Sequence, residues 1–321
     1  MNCPKCQAAV TLTAKFCDQC GHCLAESVEY LHAKAVEQYH RGQISAAVAT
    51  WDEALGRDAG FSKGHYYRGL ALYDRGDLAE AVASFQSALA GAHEPFRIYY
   101  KLGMAQYGAG DLYGSVESYR AAHKINPDSA ETLYRLGLSY MRLSELDKAE
   151  EVLEKATAIN GKYTRALYIL GMVLSQKGEH DRAIEMFRRV EEISPSYTAA
   201  RFELGMALFH KGELAAACDQ FAKVEKDNPR FAPAPYMMGE SCRKLGQFGE
   251  AVAAYERTLK LNPKDAETWV RIAECHVQED LYDAAANAIE KALAFQPDNQ
   301  EAKYLQKHLG EMRTPHKPGN F

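Results

Sequence analysis

A small residue returns every 34 positions along this chain. Gly42, Gly76, Gly110, Gly178, Gly212 and Gly246 fall 34 residues apart or twice that, with Ser144 and Asp280 in the two remaining slots and no insertion or deletion across eight registers. A fixed period in this range constrains architecture more than any local propensity. Each unit must be one supersecondary element that buries its apolar face only by stacking on copies of itself. Length alone, 321 residues, points to two domains of similar size. The register replaces them with one long array.

Three further columns keep the same phase. Seven places before each slot stand Ala35, Gly69, Gly103, Gly137, Gly171, Gly205, Gly239 and Ala273, all small. Five places after it stand Ala47, Ala81, Ser115, Ala149, Ala183, Ala217, Ala251 and Ala285, and nine after it the bulky Trp51, Phe85, Tyr119, Leu153, Phe187, Phe221, Tyr255 and Ile289. Small residues let helix backbones approach, and large ones fill the space left between them.

These columns resemble the tetratricopeptide repeat, a helix-turn-helix unit with a small residue at position 8, Ala at 20, an aromatic near 24 and Pro at 32. The resemblance implies an all-α, right-handed α-solenoid (superhelix) of eight 34-residue units: 28–61, 62–95, 96–129, 130–163, 164–197, 198–231, 232–265 and 266–299. Pro127, Pro195, Pro229, Pro263 and Pro297 fill the Pro column, whereas Ala59, His93 and Gly161 interrupt it, so those three connections are expected to be looser. Asn126-Pro127-Asp128-Ser129 and Gln296-Pro297-Asp298-Asn299 end one helix and offer cap-type side chains for the next. Residues 300–312, with Tyr304, Leu305 and Leu309 on a polar stretch, read as a solvating helix over the last repeat, and 313–321 as a flexible tail.

Cysteine is concentrated at one end. Five of the eight, Cys3, Cys6, Cys17, Cys20 and Cys23, lie within the first 23 residues. Cys3-Pro4-Lys5-Cys6 and Cys17-Asp18-Gln19-Cys20-Gly21 form two CxxC turns ten residues apart, and two such turns can supply the four sulfurs of a closed tetrahedral zinc site. Residues 1–23 resemble a short bacterial zinc ribbon, joined by a linker, 24–27, to the first repeat. One structural Zn2+ per chain on Cys3, Cys6, Cys17 and Cys20 is expected, with His22 and Cys23 as bystanders, Phe16 as the apolar plug and Gln7 where the pattern prefers Gly. So short a segment cannot build a self-sufficient core without a staple. The linker is short enough that the ribbon is expected to cap repeat 1. Cys218, Cys242 and Cys275 fall at packing positions of later repeats.

In the resembled family, positions 2, 5, 9, 12 and 13 of each first helix line the concave groove. Position 5 reads His32, Tyr66, Tyr100, Tyr134, Tyr168, Phe202, Tyr236 and Val270. Position 9 reads Val36, Leu70, Met104, Leu138, Met172, Met206, Glu240 and Glu274, and position 12 reads Tyr39, Tyr73, Tyr107, Met141, Ser175, Phe209, Arg243 and Val277. Candidate groove residues are Tyr39, Tyr66, Leu70, Tyr73, Tyr100, Met104, Tyr107, Tyr134, Leu138, Met141, Tyr168, Met172, Phe202, Met206 and Phe209. Met with Tyr suits adaptable contact with a helix or extended peptide. Tyr at positions 5 and 12 also suits plain packing between first helices. Position 9 is the more telling column, since packing alone does not require it to be apolar six times running. Lys at 5 and Asn at 9, which hold a terminal carboxylate in chaperone-binding members, are absent. Arg135, Arg142, Arg243 and Arg271 are possible polar anchors near the groove, and Pro233 with Pro235 marks the junction of repeats 6 and 7 as a candidate bend.

The remaining classes are excluded by composition and motif. Lys plus Arg is 38 against 43 for Asp plus Glu, a net charge of −5, which argues against a basic nucleic-acid binder. No apolar run reaches the roughly 20 residues of a membrane span, and no signal peptide opens the chain, so a cytoplasmic protein is expected. No phosphate loop, nucleophile elbow or metalloprotease spacing occurs. The expected function is a non-enzymatic scaffold or adaptor that binds an apolar peptide or helix of a partner protein, with homo-oligomers possible. The alternative is a zinc-ribbon regulator associated with nucleic acid that uses the repeats to recruit or sense a partner.

Overall fold

A computed structural model of the chain describes residues 3, 5–11, 14–25 and 27–312, the last two as backbone only. The tail expected over 313–321 lies outside the described residues. Two compact units emerge, Met1–Tyr163 and Thr164–Phe321.

Among the described residues, the first unit holds the cysteine-rich segment and eight helices: α1 (Val28–His40), α2 (Ile44–Arg57), α3 (Ser62–Arg75), α4 (Leu78–Leu89), α5 (Pro95–Ala109), α6 (Leu112–Ile125), α7 (Ala130–Arg142) and α8 (Leu146–Ile159). The second holds nine: α9 (Thr164–Gln176), α10 (His180–Ile193), α11 (Thr198–Lys211), α12 (Leu214–Asp227), α13 (Pro233–Lys244), α14 (Phe248–Leu261), α15 (Ala266–Gln278), α16 (Tyr282–Phe295) and α17 (Gln300–Met312). Within each unit a helix packs on its neighbours in sequence, and first helices of successive pairs touch as well. The fold is an all-α solenoid of helix-turn-helix units, with contacts of the nearest-neighbour kind.

The sequence columns explain the pairing. A Cβ added at Gly69, Gly103, Gly137, Gly171, Gly205 or Gly239 would stand 2.5–2.8 Å from the side chain of Phe85, Tyr119, Leu153, Phe187, Phe221 or Tyr255 respectively. Each pair lies within one helix hairpin, so the small residue is the seat of the large one. Those large side chains, with Trp51, are almost wholly buried. Turning from first to second helix requires a left-handed residue, and all eight slots adopt it: the six glycines, and also Ser144 at φ 60° and Asp280 at φ 58°.

Ser129 Oγ accepts from the Thr132 amide at 3.2 Å and Asn299 Oδ1 from the Ala302 amide at 2.9 Å, so both expected caps form. Connectors 58–61 and 160–163 lack the Pro yet keep the four-residue length of 126–129. Of the three interruptions of the Pro column, only 90–94 differs in length: α4 stops after 12 residues and the link lengthens to five. In the second unit 228–232 also has five, with Pro233 at the first helical position of α13. Helix α17 buries Ala302 and Leu309 against α16 and α15, while Tyr304 is 62% exposed.

Candidate functional site

The cysteine-rich segment folds as two matching turns. Gln7 N–H donates to Cys3 O at 2.9 Å and Cys3 N–H to Ala8 O at 2.8 Å; in the second, Gly21 N–H donates to Cys17 O at 2.8 Å and Cys17 N–H to His22 O at 2.8 Å. Gln7 and Gly21 both take positive φ, 61° and 69°. The turns present Cys3, Cys6, Cys17 and Cys20 so that all four sulfurs lie within 4.8 Å of one another. Cys3 Sγ is 3.6 Å from Cys20 Sγ and Cys6 Sγ is 3.5 Å from Cys17 Sγ. Zinc–sulfur bonds of about 2.3 Å in a tetrahedron place sulfurs about 3.8 Å apart, so the cluster could hold a metal ion. The thiols compete for charge. Burial opposes ionisation of Cys3, but the amides of Cys6 and Lys5 and the Cys20 and Cys6 thiols outweigh it, and its pKa falls to about 6. The Ala8 amide favours a Cys6 thiolate, yet donation to Cys20 and desolvation prevail and push it up to about 12. A cation bound among the four sulfurs would favour the thiolate form of each.

Phe16 is not the plug. It is 61% exposed, whereas Leu24 is 1% exposed and packs with Cys3 and Cys17. The Leu24 amide closes on Lys15 O at 2.7 Å, and Phe16 bridges antiparallel to Cys23. Alternation in that extended stretch turns Cys17 inward and Phe16 outward. Cys23 is exposed and His22 half-buried, and both lie outside the cluster.

Within the repeats, the aromatic columns are engaged inside the protein. Position-5 rings rest on the large residue of their own hairpin, as in Tyr66 on Phe85 (6.0 Å between centroids), Tyr100 on Tyr119 (6.0 Å), Tyr168 on Phe187 (6.1 Å) and Phe202 on Phe221 (5.5 Å). Several also meet an aromatic at the end of the connector: His32 with Phe61, Tyr134 with Tyr163, Tyr168 with Tyr197 and Phe202 with Phe231, at 5.1–5.3 Å. Sequence reasoning missed this partner column, although four aromatics recurring at position 34 of the register were there to find it. Position-12 rings join consecutive first helices. Tyr39 donates to Asp74, Arg142 lies 4.9 Å over Tyr107, and Lys244 lies 4.0 Å over Phe209.

Position 9 differs. Val36, Leu70, Met104 and Leu138 in the first unit, and Met172 and Met206 in the second, are all half-buried. Of the other candidates, Tyr134 and Phe209 are buried at 8% and 9%, and the rest, including Tyr73 and Met141, are half-buried. In the last two hairpins position 9 turns acidic and is neutralised locally. Glu240 pairs with Arg243 at 2.8 Å and accepts from Tyr255 at 2.6 Å, while Arg271 binds Glu274 at 3.0 Å and reaches Glu301 at 3.4 Å. Arg135 is likewise held by Glu131 at 3.0 Å. Arg135, Arg243 and Arg271 are therefore paired with carboxylates of the fold, whereas Arg142 is exposed over the Tyr107 ring. Cys242 and Cys275 are buried thiols pushed up to about 12 chiefly by desolvation, with Cys218 Sγ 3.7 Å from Cys242 Sγ. Among the described residues no helix is long and apolar enough to cross a membrane.

Models of the tetratricopeptide repeat match residues 32–95, 96–129, 128–196, 170–233 and 243–309. The chain belongs to the tetratricopeptide repeat family. No curated protein matches it. Among solved structures of similar fold, a tetratricopeptide repeat protein from Parabacteroides merdae aligns with TM-score 0.56 and 19% identity over 78% of this chain and 98% of its own. YrrB, described as a repeat protein of this family with an unusual peptide-binding site, gives 0.54 and 19% over 60% and 99%. The pilF protein of Pseudomonas aeruginosa gives 0.53 and 19% over 66% and 97%. At these identities the likeness is one of fold.

Proposed function

We propose that this tetratricopeptide repeat protein is a non-enzymatic interaction scaffold that binds an apolar peptide or helix of a partner protein on its first helices, those of repeats 1–4 in the first unit and of repeats 5 and 6 in the second. The supporting observation is the position-9 column. The rings at positions 5 and 12 are occupied with one another, with connector aromatics and with neighbouring charges, but six consecutive position-9 side chains are apolar and half-buried. Half-burial leaves apolar surface that a partner can cover, at about 25 cal/mol per Å² removed from water. Unbranched Met at three of the six suits a partner whose side chains vary. The YrrB peptide-binding site lends the same reading support by analogy of fold.

In this reading residues 1–23 are a zinc ribbon, and Cys3, Cys6, Cys17 and Cys20 hold one structural zinc. Four thiolates complete the coordination, so the ion would act as a crosslink, with no open position for substrate. Elemental analysis is expected to find about one zinc per chain, reduced by replacing Cys6 and Cys20 with Ser. The groove is tested by affinity capture with Leu70→Ser/Met104→Ser beside wild type. Loss of the same partner from the variant, with its helical content unchanged, is the expected result; equal recovery would remove the groove assignment.

A further inference from the structure

Beside the longer connector 90–94 lies a cleft of about 430 Å³, lined by His32, Lys63, Tyr66, Tyr67, Glu94 and Arg97 among others. It takes in Lys63 and Arg97 at repeat position 2 and His32 and Tyr66 at position 5, all from the columns expected to line the groove. It opens where α4 ends after 12 residues and His93 stands in the Pro column. Its lining is rich in donors. Trp51 Nε1–H donates to His32 Nδ1 at 3.1 Å; burial and then Lys63 hold the His32 pKa below its ordinary value, so the ring is neutral near pH 7 with its proton on Nε2. Lys63 and Arg97 bring two cations, and the Tyr66 phenol lies in the field of Arg97, Tyr67 and Glu94. The single carboxylate named here, Glu94, pairs with Arg97 at 3.5 Å, but the two side chains are 74% and 72% exposed. A pair so exposed exchanges partners at little cost. The N-terminal turns of α3 and α5 border the cleft, and neither has a capping side chain.

The geometry points to a subsite for an acidic side chain of a bound peptide, received by Lys63 and Arg97 between the rings of Tyr66 and Tyr67. A donor-rich wall with one engaged carboxylate is complementary to an acceptor-rich anion. The volume lies in the range of roughly 300–1,000 Å³ typical of organic-ligand sites, well beyond a lone inorganic anion, and Tyr66, Tyr67 and Ile98 supply the apolar wall that the flanking peptide would cover. This inference rests on the reading of the chain as a peptide-binding scaffold, not on the position-9 stripe.

The test uses the full chain and two fluorescently labelled, end-blocked peptides, hexaglutamate and hexaglutamine, followed by anisotropy at physiological salt. Hexaglutamate is expected to bind at least about tenfold more tightly than hexaglutamine, and Lys63→Ala/Arg97→Ala to lose at least about tenfold of that affinity. Lys124→Ala, an exposed cation outside the cleft, and Leu70→Ser/Met104→Ser, on the apolar stripe, are expected to leave hexaglutamate binding unchanged. Equal affinity for the two peptides, equal loss in Lys124→Ala, or full displacement by millimolar inorganic phosphate would overturn the subsite. Failure of the apolar-groove reading would show instead in partner capture by Leu70→Ser/Met104→Ser. Lys63 and Arg97 are exposed, so the variant is expected to keep the wild-type circular dichroism; Tyr67→Phe provides a milder arm, with an expected loss of a few fold.

Discussion

Gln7 sits at φ 61° in a turn whose twin is closed by Gly21 at φ 69°. A side chain in the left-handed region costs roughly 1–2 kcal/mol relative to the right-handed one, and glycine escapes that cost. Gln7→Gly is therefore expected to tighten metal binding several-fold in competition with a colorimetric chelator; weaker binding would show that the Gln7 side chain has a role of its own. Glu240 carries a pH prediction. Burial disfavours its charge, but Arg243, Tyr255 and then Arg271 outweigh burial and hold the carboxyl below the ordinary range. A depressed folded pKa contributes stability that is complete above the unfolded value of about 4.3 and is lost as pH falls through the folded value. The urea midpoint of the wild type is expected to fall below pH 4 more steeply than that of Glu240→Gln, and parallel acid limbs would contradict this.

At the scale of the helix hairpin, the small seat and the large side chain act as one device. Gly205 is the clearest case, since an added Cβ would stand 2.6 Å from Phe221 Cε1 with the ring fully buried. Gly205→Ala is expected to cost about 1–3 kcal/mol by overpacking, and Phe221→Leu in the same chain to recover part of it. Denaturant unfolding measures both, and a neutral Gly205→Ala would refute the seat. This device was legible in the sequence because the gapless register aligns Gly205 with Phe221 in the same way as five other pairs. The orientation of Phe16 was not, since no repeat aligns it; the two turns decide which side of a short extended stretch faces the sulfurs, and Leu24 arrives from later in the chain to fill that place. The rings at positions 5 and 12 show a different limit. Helical spacing tells which stripe a residue occupies, but not whether Tyr134 will meet Tyr163 or Tyr107 will lie beneath Arg142.

At the scale of the molecule, a nearest-neighbour array spreads stability along the chain and leaves the first helices free to present a continuous run of side chains within each unit. A metal ion held by Cys3, Cys6, Cys17 and Cys20 would add a local staple. The core around Leu24 and the cysteines is small and drawn from residues 3–24. Chelation is therefore expected to unfold this segment while the main helical transition, followed by circular dichroism, stays in place. Interaction is the scaffold's proposed task, and the position-9 stripe is where it would occur. The most direct measurement is calorimetric titration, at several temperatures, of the captured partner segment into wild type and into Leu70→Ser/Met104→Ser. A negative heat-capacity change that shrinks in the variant, with affinity reduced by about tenfold or more, is the expected result. The same affinity and heat capacity for both proteins would contradict it.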